Sequence, residues 1–142
     1  MKLSARNVLK GTVKELKPGV VTTEVVLSIP GGIDIVSTIT NESAHHLGLA
    51  PGKEAYALVK APLVIIAAGE PQMRFSTRNM LKGTISLIER GAVNAEVTLN
   101  LPSGQSISAV ITMSSVNGMG LKTGDSVTAL FKASSVILAT PI

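Results

Sequence analysis

The stretch SARNVLKGT at residues 4–12 returns as STRNMLKGT at residues 76–84. The match extends well beyond these segments: residues 3–67 (the first copy) align with residues 75–139 (the second copy) at a constant offset of 72, and 28 of the 65 pairs are identical. The repeat predicts two domains, at residues 1–68 and 75–142, joined by a linker at residues 69–74. Because units this small bury little surface alone, we expect them to pack on each other or on other chains.

The amino-acid composition limits the kinds of protein that this chain can be. Apolar residues make up 45% of the chain and charged residues 15%, which suggests that a subunit interface covers part of the apolar surface. The net charge is +4 without a basic run that could follow a nucleic-acid backbone. The absence of cysteine excludes a disulfide framework and a thiolate metal site. With no signal-peptide core and no apolar run long enough for a bilayer, a soluble cytoplasmic protein without a membrane partner is expected.

Each copy is predicted to form five short strands with one helical turn after the third. In the first copy the strands are expected at residues 7–16, 21–29, 33–39, 54–60 and 63–67. Gly11 is predicted to mark a bulge or a close approach, and Gly19 the third position of a type II turn. Thr40 is a predicted N-cap and Gly48 a predicted C′ glycine. The fold class is therefore all-β, with two tandem OB-like Greek-key barrels that each carry one short helix.

Polar residues that occur in both copies are the candidates for a binding site. Nearly all of them are hydrogen-bond donors or cations, which suits a small oxyanion that offers only acceptors and negative charge. Free backbone N–H groups at the start of the helical turn would add to such a site. The alternative is that Thr40 merely caps a helix, and that Arg6 and Lys60 are solvated or pair with Glu24. The recurrence of the whole set favours the anion site. The charged pairs are Arg6/Arg78, Lys10/Lys82, Glu24/Glu96 and Lys60/Lys132, and the hydroxyl pairs are Ser4/Ser76, Thr12/Thr84, Thr40/Thr112 and Ser43/Ser115.

Catalysis, bare metal ions and nucleic acid are disfavoured. No histidine recurs, since His45 and His46 align with Asn117 and Gly118, and only one carboxylate position recurs. The protein is therefore not expected to be an enzyme. The few aromatic residues each align with a non-aromatic one, so the copies share no platform for stacking bases and no nucleic-acid partner is expected.

The segment SARNVLKG at residues 4–11, followed downstream by Lys60-Ala61-Pro62, resembles the Mop domain of molybdate-binding proteins. The second copy resembles it as well, through STRN at residues 76–79 and Lys132-Ala133-Ser134. As a tandem pair, nearly the whole chain is similar to the cytoplasmic di-Mop molbindins. The resemblance implies one OB-like barrel per domain, a homotrimer with six domains, and molybdate or tungstate bound between domains, with no other cofactor.

The resemblance also implies a set of binding residues. One domain would supply Ser4, Arg6, Lys60 and Ala61, and a neighbouring domain would supply Thr40 and Ser43. Ser134 stands where the first copy has Pro62, and its added hydroxyl donor is expected to make two classes of interdomain pocket chemically unequal. The second-copy counterparts are Ser76, Arg78, Lys132, Ala133, Thr112 and Ser115. Asn7 and Asn79 either join the site or only fix a strand. A second class of site, on the threefold axis, would involve Gly19, Val20, Val21, Gly91, Ala92 and Val93.

The implied role is storage, buffering or homeostasis of molybdenum. Because 142 residues leave no room for the helix-turn-helix or ATPase domain of other Mop-domain proteins, a free-standing oxyanion binder is expected. The alternative is a regulatory interaction module that docks on a protein partner in response to molybdate.

Overall fold

The computed structural model describes residues 1–142, and each copy has five strands with a short helix after the third. This order confirms the predicted all-β, OB-like fold, and the observed strand ends differ from the predicted ones by a few residues. In the first copy the elements are β1 (Asn7–Pro18), β2 (Thr22–Ile29), β3 (Ile33–Thr40), α1 (Asn41–His46), β4 (Glu54–Val59), a 3-10 turn (Ala61–Leu63) and β5 (Ile65–Ala68). In the second copy they are β6 (Asn79–Arg90), β7 (Asn94–Asn100), β8 (Ser106–Thr112), α2 (Met113–Met119), β9 (Ser126–Phe131), a 3-10 turn (Ala133–Ser135) and β10 (Ile137–Ala139).

The two copies exchange their last strands. The antiparallel sheets have the orders β10-β4-β1-β2-β3 and β5-β9-β6-β7-β8, so each copy completes the sheet of the other. Ile137 pairs with Leu58 of β4, and Ile65 pairs with Leu130 of β9. The sheets therefore cut across the predicted domain limits at the fifth strand, and neither sheet is complete without both copies.

Alternating side chains build the core. β1 and β6 share a pattern in which every second residue is buried from Asn7 to Val13 and from Asn79 to Ile85, as expected for strands with one face against a core. Most of the buried apolar residues of both copies form one continuous cluster, to which the exchanged strands contribute Ile66 and Leu138. No helix of the structure has the length and hydrophobicity needed to cross a bilayer.

The turn between β1 and β2 differs from the prediction. β1 continues through Pro18, and the Gly19 N–H donates to the Thr22 carbonyl at 2.7 Å. Gly19 does not have the positive φ that the third position of a type II turn requires, so that prediction is wrong. A Cβ atom would lie 3.0 Å from the Thr22 oxygen at Gly19, and 2.6 Å from the Asn94 oxygen at Gly91. The glycine recurs because the backbone passes too close for a side chain.

Gly11 marks a close approach, as predicted. A Cβ atom at Gly11 would lie 2.5 Å from the Ser28 carbonyl oxygen, and one at Gly83 would lie 2.8 Å from that of Asn100. The break in register of β1 comes later, between residues 13 and 15. The two glycines therefore let the first two strands of each copy cross closely, and they are not themselves the bulge.

Candidate functional site

A hydroxyl pair begins each helix. The Oγ1 atom of Thr40 accepts a hydrogen bond from the Ser43 N–H at 3.0 Å and donates to the Ser43 Oγ at 2.8 Å. Thr112 and Ser115 repeat this arrangement at 3.0 and 2.9 Å. The predicted N-cap is therefore confirmed, and Gly48 follows the helix with a φ of 62°. Since Thr40 donates to Ser43, the Ser43 hydroxyl keeps its own hydrogen for another acceptor.

An open groove of about 490 Å³ lies between the copies, beside Thr40 and Ser43. Its other wall is formed by the last 3-10 turn and β10 of the second copy, including Ser134. Hydroxyl groups predicted to come from two different domains therefore meet in one groove, which contains no carboxylate. The lining residues are Thr22, Thr38, Ile39, Thr40, Ser43, His46, Leu47, Ser134, Val136, Ile137 and Leu138.

Three polar groove residues, Thr22, Thr38 and His46, were missed by the sequence analysis. Thr38 lies two residues before Thr40 on β3, so the alternation of a strand could have identified it. His46 was not a candidate because it does not recur; it is exposed and lines the groove. None of the three recurs in the second copy, where Asn94, Val110 and Gly118 take their places.

Asn7 and Asn79 join the two copies through their side-chain amides. Asn79 accepts from the Val36 N–H and donates to the Val36 carbonyl, both at 2.8 Å. Asn7 makes the same two bonds to Ser108, at 2.7 and 2.8 Å. Both asparagines are buried, so each amide fixes a strand of the other copy, which is one of the two roles considered for them.

The recurring arginines pair with the recurring glutamates across the copies. Arg78 forms an ion pair with Glu24, and the Arg6 Nε lies 3.6 Å from the Glu96 Oε1. The alternative drawn from the sequence named Glu24 as the partner of Arg6. The structure selects the equivalent residue of the other copy, because each arginine lies over the opposite sheet.

The recurring lysines at the ends of β4 and β9 have no carboxylate partner. Lys60 and Lys132 are exposed, immediately precede the two 3-10 turns, and take part in none of the six ion pairs. Their positive charge is therefore free for an anion. Ala61, next to Lys60, is buried, and Ala133, next to Lys132, is half-buried.

The remaining predicted residues lie outside the groove lining. Ser4 and Ser76 are exposed and precede β1 and β6. Arg78, Lys132 and Ala133 do not line the groove, although the last two directly precede Ser134. The segments proposed for a threefold axis, residues 19–21 and 91–93, form exposed hairpin turns.

The shifted pKa values belong to another part of the surface. A hydrogen bond from the Tyr56 hydroxyl, followed by Lys10, lowers the pKa of Glu54, and the same bond raises the pKa of Tyr56. A hydrogen bond to Asp34 raises the pKa of Lys14. These residues lie on β1, β3 and β4, and none of them lines the groove.

Comparison with known proteins gives consistent matches. The family model for the TOBE domain matches residues 3–66 and 76–138. The molybdenum-pterin-binding protein MopA of Rhodobacter capsulatus is 45% identical over 141 residues, which cover 99% of this chain and 53% of MopA. The DNA-binding transcriptional dual regulator ModE of Escherichia coli (strain K12) is 40% identical over 141 residues, with coverages of 99% and 53%. The chain thus spans about half the length of the curated relatives it matches.

Among solved structures, a match extends over nearly the full length of both chains. The matched structure is that of the cytoplasmic molybdate-binding protein ModG, in a form with molybdate bound. ModG is 50% identical, the match covers 99% of this chain and 100% of ModG, and the TM-score is 0.96. With both copies matched by the family model, the chain belongs to the TOBE-domain family and carries the domain twice in tandem.

Proposed function

We propose that the chain binds molybdate, and also tungstate, in grooves between its copies and between chains, and that it stores or buffers molybdenum in the cytoplasm. The observation that carries the proposal is the match to ModG over the whole of both chains, at 50% identity and a TM-score of 0.96. ModG is described as cytoplasmic, and its structure holds molybdate. The role is binding rather than catalysis.

The groove chemistry supports this proposal. Molybdate is a compact dianion that accepts hydrogen bonds and donates none, so hydroxyls, N–H groups and cations must replace its lost hydration. The groove offers the Ser43 hydroxyl, which has its hydrogen free, and Ser134 on the opposite wall. Lys132 lies two residues before Ser134 and has no competing carboxylate.

The groove beside Ser134 is proposed to be the stronger of two related sites. The equivalent position in the first copy is Pro62, which has neither a hydroxyl nor an N–H group. The groove also holds Thr38 and His46, whose counterparts Val110 and Gly118 have no polar side chain. The two grooves of one chain would therefore bind with different affinities.

Assembly into a trimer of chains is part of the proposal. A single chain leaves large apolar side chains in water, among them Val20 at 99% exposure and Val93 at 73%. Both lie in the turns suggested for a threefold axis, and Ile65 and Ile137 on the exchanged strands are also exposed. Contact between chains would cover such residues. Sites between chains would couple assembly to ligand binding by mass action.

The regulatory alternative has less support. The regulator ModE of Escherichia coli is 40% identical to the chain over about half of its own length, but it is described as DNA-binding and no protein partner is named for it. A partner retained only in the presence of molybdate would support that role over buffering.

Isothermal titration with molybdate tests the site. Lys60→Gln and Lys132→Gln together should weaken binding by about tenfold to a hundredfold, because charge-assisted hydrogen bonds contribute roughly 1.5–3 kcal/mol. Lys82→Gln is the matched control, since Lys82 is also a recurring exposed lysine without an ion pair. Equal affinities for all these variants and the original chain would remove the two lysines from the site.

A further inference from the structure

The recurring carboxylate is held by the recurring arginine. Glu24 and Glu96 are the only acidic residues that occupy matching positions in the two copies. Both are half-buried, with 34% and 20% of the side chain exposed, and each pairs with an arginine of the other copy. The arginines are among the residues that the resemblance assigns to the oxyanion site. Each glutamate therefore pairs with a cation that the ligand would also need.

The ion pair lies beside the groove. Glu24 on β2 is directly opposite Thr38 on β3, and directly opposed residues of neighbouring strands project from the same face of a sheet. Thr38 lines the groove. The ion pair of Glu24 with Arg78 therefore lies on the sheet face that borders the groove, although neither residue is part of the groove lining.

The arginine is also restrained at its backbone. Asn79 follows Arg78 directly and is fixed to Val36 by its two amide hydrogen bonds. Arg78 therefore cannot move away from the sheet that carries Glu24 without breaking the contact between the copies. The same ion pair forms twice, since the arginine of each copy binds the glutamate of the other copy. The pairing is therefore a feature of both copies and not of a single surface.

We propose that Glu24 and Glu96 are internal competitors of the oxyanion: they hold Arg78 and Arg6 in the empty protein and keep the affinity of the site below its possible maximum. This inference rests on the proposed function. A dianion must either take the guanidinium from the carboxylate or share it, and in the shared arrangement the two negative groups repel each other. Guanidinium has five N–H donors and can contact both anions. Weaker binding would suit a protein that must return its ligand.

The test is isothermal titration of Glu24→Gln/Glu96→Gln with molybdate. Glutamine keeps the shape and one acceptor oxygen but removes the negative charge, so the dissociation constant should fall about threefold to tenfold, as expected for partly exposed charges. Asp34→Asn/Asp125→Asn is the matched control, because it removes two negative charges that pair with Lys14 and Lys122 instead. The control should change the dissociation constant by less than about twofold.

A double-mutant cycle separates competition from a general charge effect. In an Arg6→Gln/Arg78→Gln background, the gain from the two glutamine substitutions should shrink, since no guanidinium is left to release. If the glutamates instead position the arginines for the ligand, removing their charge will weaken binding. Unchanged or weaker binding in the glutamine variant overturns the inference while the proposed function stands. Absence of binding to the original chain contradicts the proposed function itself.

A single substitution protects the test against misfolding. Glu24→Gln alters only the pair with Arg78 and leaves the other copy intact. It should tighten binding at one of the two classes of site proposed for the original chain and leave the other class unchanged. Original affinities at both classes would again overturn the inference.

Discussion

Replacing Asn79 by alanine should destabilise the chain by about 2–4 kcal/mol. Asn79 is fully buried and satisfies both the N–H and the carbonyl of Val36, which is itself only 6% exposed. Removal of the amide leaves two buried backbone groups without partners, each at a cost of about 1–3 kcal/mol. The upper limit of the expected loss, about 4 kcal/mol, is set below the sum of the two largest costs because water can enter the space left by the side chain.

Asn7→Ala should cost less, about 1–2 kcal/mol. Its partner Ser108 is half-buried, so water can replace the lost hydrogen bonds more readily. The assay is urea unfolding at one fixed protein concentration, because assembly adds to apparent stability. Asn100→Ala is the control: Asn100 is exposed, and its loss should change stability by less than about 0.5 kcal/mol. A loss of less than 0.5 kcal/mol for Asn79→Ala would refute the view that these amides hold the copies together.

Three further predictions concern the groove, the exchanged strand β10 and the hydrogen bond between Tyr56 and Glu54. Ser134→Pro should weaken molybdate binding about tenfold at half the sites, because a hydroxyl and an N–H donor are lost, and Pro62→Ser should strengthen the other half, because both are gained. Each change should bring the two classes of site closer in affinity, so a titration in which their difference stays as large as in the original chain would contradict this. Leu138→Ala should lower the free energy of unfolding by about 2–4 kcal/mol in a denaturant titration, and no loss would mean that β10 does not complete the first sheet. Tyr56→Phe should raise the pKa of Glu54 towards its ordinary value of 4.5 in a carboxyl NMR titration. Since the lowered pKa favours the folded protein above that value and its contribution is lost as the pH falls, this variant should also lose less stability in acid.

The sequence was sufficient for features that are decided locally. Alternation gave the five strands of each copy, and the Thr40 cap and the Gly48 conformation followed from the chemistry of those residues. The exchange of the last strands was not predictable in this way. Residues 64–67 and 136–139 differ at one position, so either sheet accepts either strand and only three-dimensional packing selects between them.

The same limitation applies to the site. Recurrence identified Thr40 and Ser43, and the structure brings them to Ser134 in one groove. Recurrence could not decide whether Glu24 or Glu96 is the partner of Arg6, because the sequence alone does not distinguish recurring residues. Recurrence was also unable to detect groove residues present in one copy only.

The most direct test of the central claim is isothermal titration of the purified chain with molybdate, alone and with a large excess of sulfate. Sulfate has the same charge and shape but is smaller, so a cavity of the right size discriminates between them. We expect tight molybdate binding that survives sulfate, with more than one site per chain. Absence of heat, or binding abolished by sulfate, would contradict a selective oxyanion site and leave the recurring donors as parts of the fold.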